Sequence, residues 1–529
     1  MNTTRWFCLG LFVVLLPFLG KPPVADEESY LFMASSIVDH PLLPYDWWRN
    51  WQPWGEEVQS NSFHFAHPPL HLWWVGFWRG LVGEGPLLRL GAGLPWVILF
   101  GVSASKLAQK CTRSPGLALA LALCSPVLLL GLHDSLMIDL GALSLCTAAV
   151  AVYRWGLIER GKFRPEFALG AGLLLGFASS YKYPSLVLVP LLFVHLWRLK
   201  LLGQSARLWL GFGLIFFGLQ AFLFAQYGEL HLLSAIASAS EIDRSPILER
   251  TAGLMVRLGF AICPLAIFSL ATKRTQMIPA AVLGTLSVVI LGRGDLNAAG
   301  LVALFVLATT GILFSFRAAI GCLPSNSTRQ RQQQREDGFL LGGWALLVLL
   351  SIVFGHNYAD PRYLLPAILP LCLLIARSAE QKAGGKNSLR LAAGIWSSVA
   401  LVTALSDFHL AKTTDRLASE LANNESPIRF SAEWTARYRL EKNDWEFWHP
   451  SETLAPGDRV VVFTNAGAAS PPEGAVLLST HAAKSRFPVR VLDWRADAGY
   501  HSEQLGRLPI AWGHSPLITA KIFQMPSSP

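Results

Sequence analysis

Apolar residues occur along the first three quarters of the chain in stretches bounded by charge, proline or glycine. Runs of about 15–22 such residues are typical of helices that cross the hydrocarbon core of a bilayer. The pattern predicts thirteen spans, at residues 6–20, 88–104, 115–132, 135–153, 166–181, 184–198, 208–226, 252–271, 277–291, 297–316, 338–355, 363–376 and 390–405. Lys21-Pro22-Pro23 follows the first span in place of a small-residue cleavage site, so we expect that span to remain as an anchor.

Lysine and arginine divide unequally between alternate loops. With a cytoplasmic N-terminus, the inside loops carry 21 basic and five acidic residues, and the remainder of residues 1–405 carries 10 basic and 16 acidic ones. Cytoplasmic loops are enriched in Lys and Arg, and a wrong span count would scramble this asymmetry. The charges therefore support thirteen spans, and the odd number places the residues after 405 outside the cytoplasm.

The composition indicates that lipid is the solvent for much of the chain. Of 529 residues, 52% are hydrophobic and 15% are charged, where soluble domains carry about 25% charged residues; mean hydropathy is +0.40. These values exclude an ordinary soluble enzyme, a coiled coil and a disordered chain. The net charge of +9 follows from the inside loops, so it does not indicate nucleic acid as a partner. The seven cysteines have no paired spacing and suit apolar helices better than disulfides or zinc.

Residues 406–529 have a different pattern from the rest of the chain. Short β-branched runs at 459–463, 475–478 and 489–492 predict strands, and the pattern around 408–422 predicts a helix. We therefore predict an all-α polytopic membrane domain over residues 1–405 and a small α/β extracytoplasmic domain over residues 406–529. Within the first, residues 21–87 form a long outer loop whose dense tryptophans predict interfacial helices.

Carboxylates near the outer face are the first candidate catalytic groups. Asp26 and Glu27 follow the first span, and Asp134 lies between the third and fourth. A carboxylate held there can take a proton from an acceptor hydroxyl or amine, although acids also stabilise a helix N-terminus. Asp139 lies inside a span, where a carboxylate is costly; it is either functional or hydrogen-bonded to a nearby serine.

Basic and histidine side chains on the outer side are the second group of candidates. Their charges oppose the positive-inside trend, and a lipid-linked phosphate would explain them, as would pairing with outer acids. His64, His67 and His71 also admit a metal interpretation, which two intervening prolines weaken. We expect no metal or other cofactor. The cations concerned are Lys182, Arg244, Arg250, Arg257, Arg293 and Arg362.

Taken in order, these motifs resemble those of the GT-C glycosyltransferases, closest to the branch of the protein O-mannosyltransferases and lipid A aminoarabinose transferases. The resemblance covers residues 1–405. It rests on Asp26-Glu27-Glu28-Ser29-Tyr30, His67-Pro68-Pro69-Leu70-His71-Leu72-Trp73, Asp134, Gly172-Leu173-Leu174-Leu175-Gly176 leading to Lys182-Tyr183-Pro184, and Arg362-Tyr363-Leu364-Leu365-Pro366.

The resemblance implies an inverting transfer of one sugar from a polyprenyl-phosphate donor to a lipid, glycan or protein acceptor outside the cytoplasmic membrane. It implies Asp26 as the catalytic base, with Glu27 the next candidate, and Asp134 as a second active-site carboxylate. It further implies that His67, Lys182, Arg244 and Arg362 bind the donor phosphate. Membrane lipids are the other expected partners.

One position departs from the aminoarabinose-transferase pattern, which has a Glu and a Lys before the Pro of the second motif. Phe65 and His67 stand there in this chain, so the Glu role is absent or has moved to Glu56 or Glu57. A neutral hexose or mannose therefore fits better than aminoarabinose as the transferred sugar.

Three other classes of protein remain open from the sequence. An oligosaccharyltransferase or ligase of the same superfamily would move an oligosaccharide, sometimes with a divalent metal. A transporter would place ionisable residues at mid-bilayer in two matched halves, which the one-sided charges and odd span count do not favour. A membrane scaffold would use the outer domain to bind a partner.

Overall fold

The structure is a computed structural model, and its described part comprises most of the chain. The description covers residues 3–47, 67–158, 162–241, 244–269, 274–291, 296–322, 329–425, 428–449, 452–464, 470–485, 487–501, 505–514 and 516–527. The sequence-based interpretations of Glu56, Glu57, His64, Phe65 and Arg293 lie outside these residues.

Helices form most of the first 200 described residues. Prolines at the first helical position begin several of them, where the missing N–H has no helical partner to lose. In chain order they are α1 (Thr3–Leu15), α2 (Glu27–Asp39), α3 (Leu70–Val82), α4 (Pro86–Cys111), α5 (Pro115–Leu123), α6 (Pro126–His133), α7 (Ile138–Gly156), α8 (Pro165–Tyr181) and α9 (Leu188–Arg198).

The second half of the helical region has longer helices and ends in one of 40 residues. Short 3-10 turns at Tyr183–Val187, Pro264–Ser269 and Pro361–Leu364 interrupt the helical order. The helices are α10 (Ala206–Tyr227), α11 (His231–Glu241), α12 (Ile247–Ala261), α13 (Arg274–Leu291), α14 (Ala298–Cys322), α15 (Arg329–Gly355), α16 (Leu365–Ala379) and α17 (Gly385–Asn424).

The described residues of each of the thirteen predicted spans fall mainly on helical structure, so the prediction of a helical membrane-type region is confirmed. By length and composition, seven helices of the described residues can cross a membrane, or eight if the bent pair α5 and α6 counts as one span. Three shorter apolar helices lie at Thr3–Phe18, Tyr183–Arg198 and Gln276–Leu291. A count of thirteen crossings stays a prediction. Two helices, α2 and α3, occupy described parts of the predicted first outer loop.

Glycines let two helix pairs approach closely. A Cβ at Gly172 in α8 would lie 2.0 Å from the carbonyl oxygen of Leu208 in α10. A Cβ at Gly259 in α12 would lie 2.0 Å from the carbonyl oxygen of Leu307 in α14. In a membrane, close backbone approach of this kind supplies the packing that holds helices together. The glycines of the Gly172–Gly176 motif therefore pack helices and need no direct part in chemistry.

A four-stranded sheet forms the centre of the C-terminal part, which confirms the predicted α/β character. Its strand order is β3 (Arg429–Ser431), β4 (Arg459–Phe463), β10 (Ile518–Gln524) and β5 (Val476–Ala483), with β3 parallel to β4 and the other pairs antiparallel. Val461 and Phe463 of β4 point into a core with α17, while Val460 and Val462 point to the opposite side. With the short hairpin β1–β2, the strands and last helix are β1 (Leu157–Ile158), β2 (Lys162–Phe163), β3 (Arg429–Ser431), α18 (Trp434–Glu441), β4 (Arg459–Phe463), β5 (Val476–Ala483), β6 (Val489–Arg490), β7 (Leu492–Asp493), β8 (Ala498–Gly499), β9 (Ala511–Trp512) and β10 (Ile518–Gln524).

Helix α17 connects the two parts of the chain without a break. It runs through residue 405, where the sequence places the domain boundary, and its Leu417 and Leu421 belong to the core of the sheet. Contacts also tie α18 to the helical region: Thr435 donates a hydrogen bond to the carbonyl of Pro23, and Tyr438 donates one of 2.8 Å to Glu84. The C-terminal part thus contacts the segment between α1 and α2 and the turn between α3 and α4, and the division at residue 405 stays a prediction.

Candidate functional site

An ion pair joins two of the predicted site residues, Asp26 and Arg362. Asp26 lies directly before α2, and Arg362 lies in the 3-10 turn before α16. The Arg362 Nη1 atom is 2.6 Å from Asp26 Oδ2, and its Nε atom is 2.8 Å from Asp360 Oδ2. Asp360 also caps the turn by accepting a hydrogen bond of 2.9 Å from the Arg362 backbone N–H. One guanidinium therefore holds two carboxylates from distant parts of the sequence.

The two carboxylates on Arg362 differ in their environments. The side chain of Asp26 is 42% exposed and that of Asp360 is 2% exposed. Burial raises the pKa of Asp26, but the opposing charge and hydrogen bond of Arg362 outweigh it and leave that pKa below its ordinary value. For Asp360 burial dominates and raises the pKa to about 7. Asp26 is therefore the carboxylate that is both ionised at neutral pH and reachable by a substrate.

The backbone at this point is strained. Ala25, immediately before Asp26, has φ of 49°, in the left-handed region that a residue with a Cβ rarely adopts. Such a conformation costs on the order of 1 kcal/mol or more and persists only where surrounding contacts impose it. Strain next to Asp26 is consistent with a functional position for that carboxylate.

A second ion pair, Lys182 with Asp139, lies beside the first. Lys182 follows α8, Asp139 lies in the first turn of α7, and their Nζ and Oδ1 atoms are 2.5 Å apart. The Lys182 ammonium is 5.1 Å from the centre of the Tyr363 ring, and the Arg362 guanidinium is 5.3 Å from the same centre. Within the described residues Asp139 Oδ2 has no hydrogen-bond partner. Two cations thus share one aromatic ring.

Both cations line a narrow cavity of about 30 Å³ between helices. Its polar wall is formed by Asp139, Lys182, His356 and Arg362. Its remaining wall is mainly apolar and consists of Ala142, Cys146, Pro184, Val187, Leu188, Trp344, Val348, Tyr363 and Pro366, with Ser185 and Ser351. Cationic and apolar side chains thus line one cavity, whose volume is about that of a single water molecule.

His67, the next predicted phosphate ligand, lies near these charges. Burial, and in second place the charge of Lys182, lower the pKa of His67 to about 3. The imidazole is therefore neutral at physiological pH and can offer a phosphate one N–H but no positive charge. The neighbouring His71 is satisfied within the fold, since its ring nitrogens lie 2.7 Å from the Tyr181 hydroxyl and 2.9 Å from the Leu136 carbonyl.

Asp134 belongs to a different group of charges. Lys21, buried just after α1, forms ion pairs with both Asp134 and Asp407, the latter from α17. Asp134 and Asp407 have side-chain exposures of 13% and 1%. In this group, Lys21–Asp134–Asp407, two carboxyl groups share one ammonium, and burial raises the pKa of Asp134 to about 7, so that this carboxyl is only partly ionised at neutral pH.

The Glu27 side chain is buried, in contrast to the partly exposed side chain of Asp26. Its carboxylate is fully buried and accepts two hydrogen bonds from Arg89, of 2.8 and 2.7 Å. The backbone N–H groups of Leu136 and Val24 donate two more, of 3.2 Å each. This bidentate pair uses up the hydrogen-bonding capacity of the carboxylate.

Arg244 lies on the segment before α12 and is exposed. Its Nη1 atom is 3.5 Å from the carbonyl oxygen of Phe354, and the adjacent Ser245 hydrogen-bonds Asn357. These contacts place it along the segment that leads to Asp360, and its role toward the phosphate stays a prediction. Of the other outer cations, Arg250 donates to the carbonyl of His356 and Arg257 donates to the C-terminal part of the chain.

The chemistry of the donor set does not point to a metal. Within the described ranges, His, Cys, Asp and Glu side chains form no group of three or more that could hold a metal ion. Each carboxylate at the centre of the site is instead matched to a lysine or an arginine.

Three site residues were not singled out from the sequence. Asp360 could have been found, because it stands two residues before Arg362 in the same motif. His356 and His501 carry no local signal, since each reaches the site only through the packing of segments far apart in the chain. His501 lies within electrostatic reach of Asp26 and Arg362, although it belongs to the C-terminal part.

Comparison with known proteins gives structural likenesses only. No protein-family model and no curated protein matches the sequence. The chain is similar to crystal structures of ArnT from Cupriavidus metallidurans, in the apo state (16% identity, TM-score 0.44, 86% of this chain and 87% of that chain) and bound to undecaprenyl phosphate (15%, 0.41, 83% and 84%). It is also similar to the Archaeoglobus fulgidus oligosaccharyltransferase tethered with an acceptor peptide (13%, 0.45, 85% and 61%). These likenesses concern the chain as a whole and assign a role to no residue.

Proposed function

We propose that this chain is an inverting glycosyltransferase that moves a single sugar from a polyprenyl-phosphate donor to a lipid, glycan or protein acceptor. The reaction takes place at the outer face of the cytoplasmic membrane, with the N-terminus cytoplasmic and the C-terminal part extracytoplasmic. The observation that carries the proposal is the Asp26–Arg362 ion pair. It joins an exposed, ionised carboxylate to a cation that lines a cavity with apolar walls.

Asp26 acts in this proposal as the general base. It takes the proton from the acceptor hydroxyl or amine, which attacks the anomeric carbon on the face opposite the phosphate. The bond between that carbon and the phosphate oxygen breaks, and the polyprenyl phosphate leaves with the electron pair. One displacement inverts the anomeric configuration, and no enzyme nucleophile is needed.

The positive charges of Arg362 and Lys182 stabilise the negative charge of the leaving polyprenyl phosphate. Both side chains line the same cavity; their charges suit a phosphate, and the apolar residues of the lining suit the start of the prenyl chain. Binding of a phosphate also competes with Asp26 for the guanidinium. Since burial raises the pKa of Asp26 and Arg362 lowers it, donor binding makes the carboxylate a stronger base. The base is thereby activated only when the donor is present.

Three other predicted residues take more limited roles. We propose that Glu27 holds α2 against Arg89 instead of acting as a base, because its oxygens are already engaged. Asp134 positions Lys21, together with Asp407, beside the site. The neutral His67 donates a single hydrogen bond to the donor phosphate.

The proposal is tested by mass spectrometry of envelope lipids, glycans and proteins from a strain that lacks this chain. Complementation with the wild-type gene should restore a mass difference of one sugar on one acceptor, and the Asp26→Asn gene should not. A restored difference of several sugars would indicate oligosaccharide transfer. An identical envelope in all strains, with unchanged polyprenyl-linked sugars, would contradict glycosyl transfer.

A further inference from the structure

The short strand β8 and the two residues after it, together called the 498–501 loop, are fixed in position by backbone hydrogen bonds. The N–H of Gly499 donates to the carbonyl of Leu508, and the N–H of Tyr500 donates to the carbonyl of Val491, each at 2.8 Å. Both Tyr500 and His501, which follow β8, are buried. The loop is therefore an ordered element and can hold a side chain in a defined place.

Contacts from Arg257 and Phe260 of helix α12, together called the Arg257 clamp, hold this loop in place. Arg257 is fully buried, and its Nη2 atom donates hydrogen bonds of 2.7 Å to the Gly499 carbonyl and 3.2 Å to the Gly506 carbonyl. A Cβ at Gly499 would lie 2.1 Å from the backbone nitrogen of Gly506, so only glycine allows this approach. The Tyr500 ring packs against Phe260 of the same helix, with centroids 6.4 Å apart. These hydrogen bonds explain why helix α12 carries a buried arginine at position 257, for which the sequence alone indicates no partner.

The clamped loop places the His501 side chain in the interior. His501 is 8% exposed, and its ring centroid is 5.2 Å from that of Trp434 and 5.3 Å from that of Tyr500. Within the part of the chain that the structure describes, its Nε2 atom makes no hydrogen bond. A buried polar atom without a hydrogen-bond partner is unfavourable, because it has lost its contacts with water. A substrate group that hydrogen-bonds this nitrogen would supply the missing partner.

His501 lies within electrostatic range of both groups of charges in the site. The charges of Asp407 and Lys21 act on its ring from one group, and those of Arg362 and Asp26 act on it from the other. Burial lowers the pKa of His501 to about 4, so the ring is neutral at physiological pH. A neutral imidazole has one N–H donor and one acceptor nitrogen. That combination matches a hydroxyl group, which also donates and accepts, better than it matches a phosphate.

We propose that His501 is a substrate-binding residue, supplied by the C-terminal part, whose free ring nitrogen hydrogen-bonds a hydroxyl group of a substrate. The hydroxyl belongs either to the donor sugar or to the acceptor. The inference rests on the proposed function, since it assigns this hydroxyl to the substrates of the transfer. It gives the C-terminal part a direct role in recognition.

The test uses the purified full-length protein with both substrates taken from membranes of the strain that lacks this chain. The polyprenyl-lipid fraction of those membranes is varied as donor, and the remaining envelope material is varied as acceptor. The variants are His501→Ala, His501→Gln, which keeps a donor and an acceptor, and His514→Ala, an exposed histidine of the same region as the matched control. Melting temperature is measured for each variant to show that it folds.

We expect His501→Ala to raise one of the two apparent KM values at least fivefold, with a smaller change in kcat, and His501→Gln to recover part of the loss. A rise in the donor KM assigns the hydroxyl to the donor sugar, and a rise in the acceptor KM assigns it to the acceptor. If both KM values stay within twofold of wild type for His501→Ala and His501→Gln, the inference is wrong while the proposed function stands. If the wild-type protein transfers no sugar at all, the proposed function fails and the inference falls with it.

Discussion

The Asp26 carboxylate and the Arg362 guanidinium are 2.6 Å apart although 336 positions separate them in the chain. Their contact brings the start of α2 to the turn before α16. It also sets the protonation state of the base, because burial and Arg362 act on the pKa of Asp26 in opposite directions. The predictions below follow from this pair and from the charges around it.

Arg362→Gln should shift the pH dependence of transfer. In the wild type the pKa of Asp26 is below its ordinary value, so the carboxylate stays ionised and activity is lost only as the pH falls through that lowered pKa. Without the guanidinium, the raising effect of burial is unopposed, and the acidic limb should move to higher pH. The measurement is kcat/KM between roughly pH 4 and pH 8. Arg362→Lys, which keeps a positive charge, is the control; an acidic limb unchanged in Arg362→Gln would contradict the prediction.

Glu27→Gln should damage folding and leave the chemistry intact. The change leaves the Arg89 guanidinium buried beside a neutral partner, and breaking a buried pair costs about 3–5 kcal/mol. We expect a lower melting temperature and yield, with near wild-type turnover for each folded molecule. The double variant Glu27→Gln with Arg89→Met removes both charges and should recover part of the stability. A well-folded Glu27→Gln protein without activity would instead support Glu27 as a base.

Lys182 and Asp139 allow stability and donor binding to be separated. Lys182→Met or Asp139→Asn alone leaves one buried charge unpaired and should lower the melting temperature. The double variant should recover stability but bind undecaprenyl phosphate about tenfold more weakly, since a charge-assisted contact is worth roughly 1.5 kcal/mol or more. Binding is followed by intrinsic tryptophan fluorescence, with Lys386→Met, an exposed lysine, as the control. Wild-type affinity in the double variant would remove Lys182 from the phosphate site.

Gly499→Ala should lower transfer without unfolding the helical region. The added Cβ would overlap the backbone of Gly506, so the loop that carries His501 must move away from Arg257. We expect a loss of at least tenfold in kcat/KM with a nearly unchanged helical circular dichroism signal. Gly394→Ala, where a Cβ meets no atom within 4 Å, is the matched control and should be neutral or slightly stabilising. Equal activity of both variants would show that the loop position does not matter.

The sequence was sufficient for the broad architecture because hydrophobic length and loop charge are local properties. It placed the described residues of each predicted span mainly on helical structure and found the strands of the C-terminal part, such as Arg459–Phe463. It also identified Asp26 and Arg362 separately. The sequence could not show that these two residues form an ion pair. Nor could it distinguish the partly exposed Asp26 from the buried Glu27 one position later, because the burial of Glu27 depends on its packing against Arg89.

Tertiary packing also determines which of the other charged residues form ion pairs. Asp134 and Asp139 are five positions apart, yet one pairs with Lys21 and the other with Lys182. Their separation into two groups depends on the turn between α6 and α7, which no spacing rule predicts. His501, near the end of the chain, lies within electrostatic range of Asp26, and the Arg257 clamp holds the loop that carries it. Long-range contacts of this kind leave no periodic signal in a sequence.

The most direct test of the central claim is sugar transfer by the purified Asp26→Asn protein. The assay follows labelled sugar from the polyprenyl-lipid fraction to envelope acceptor, with Asp39→Asn, an exposed aspartate on the same helix, as the control. If Asp26 is the general base, its variant folds and binds undecaprenyl phosphate but transfers sugar at least 100-fold more slowly, while Asp39→Asn behaves as wild type. Transfer by Asp26→Asn at the wild-type rate would contradict the account.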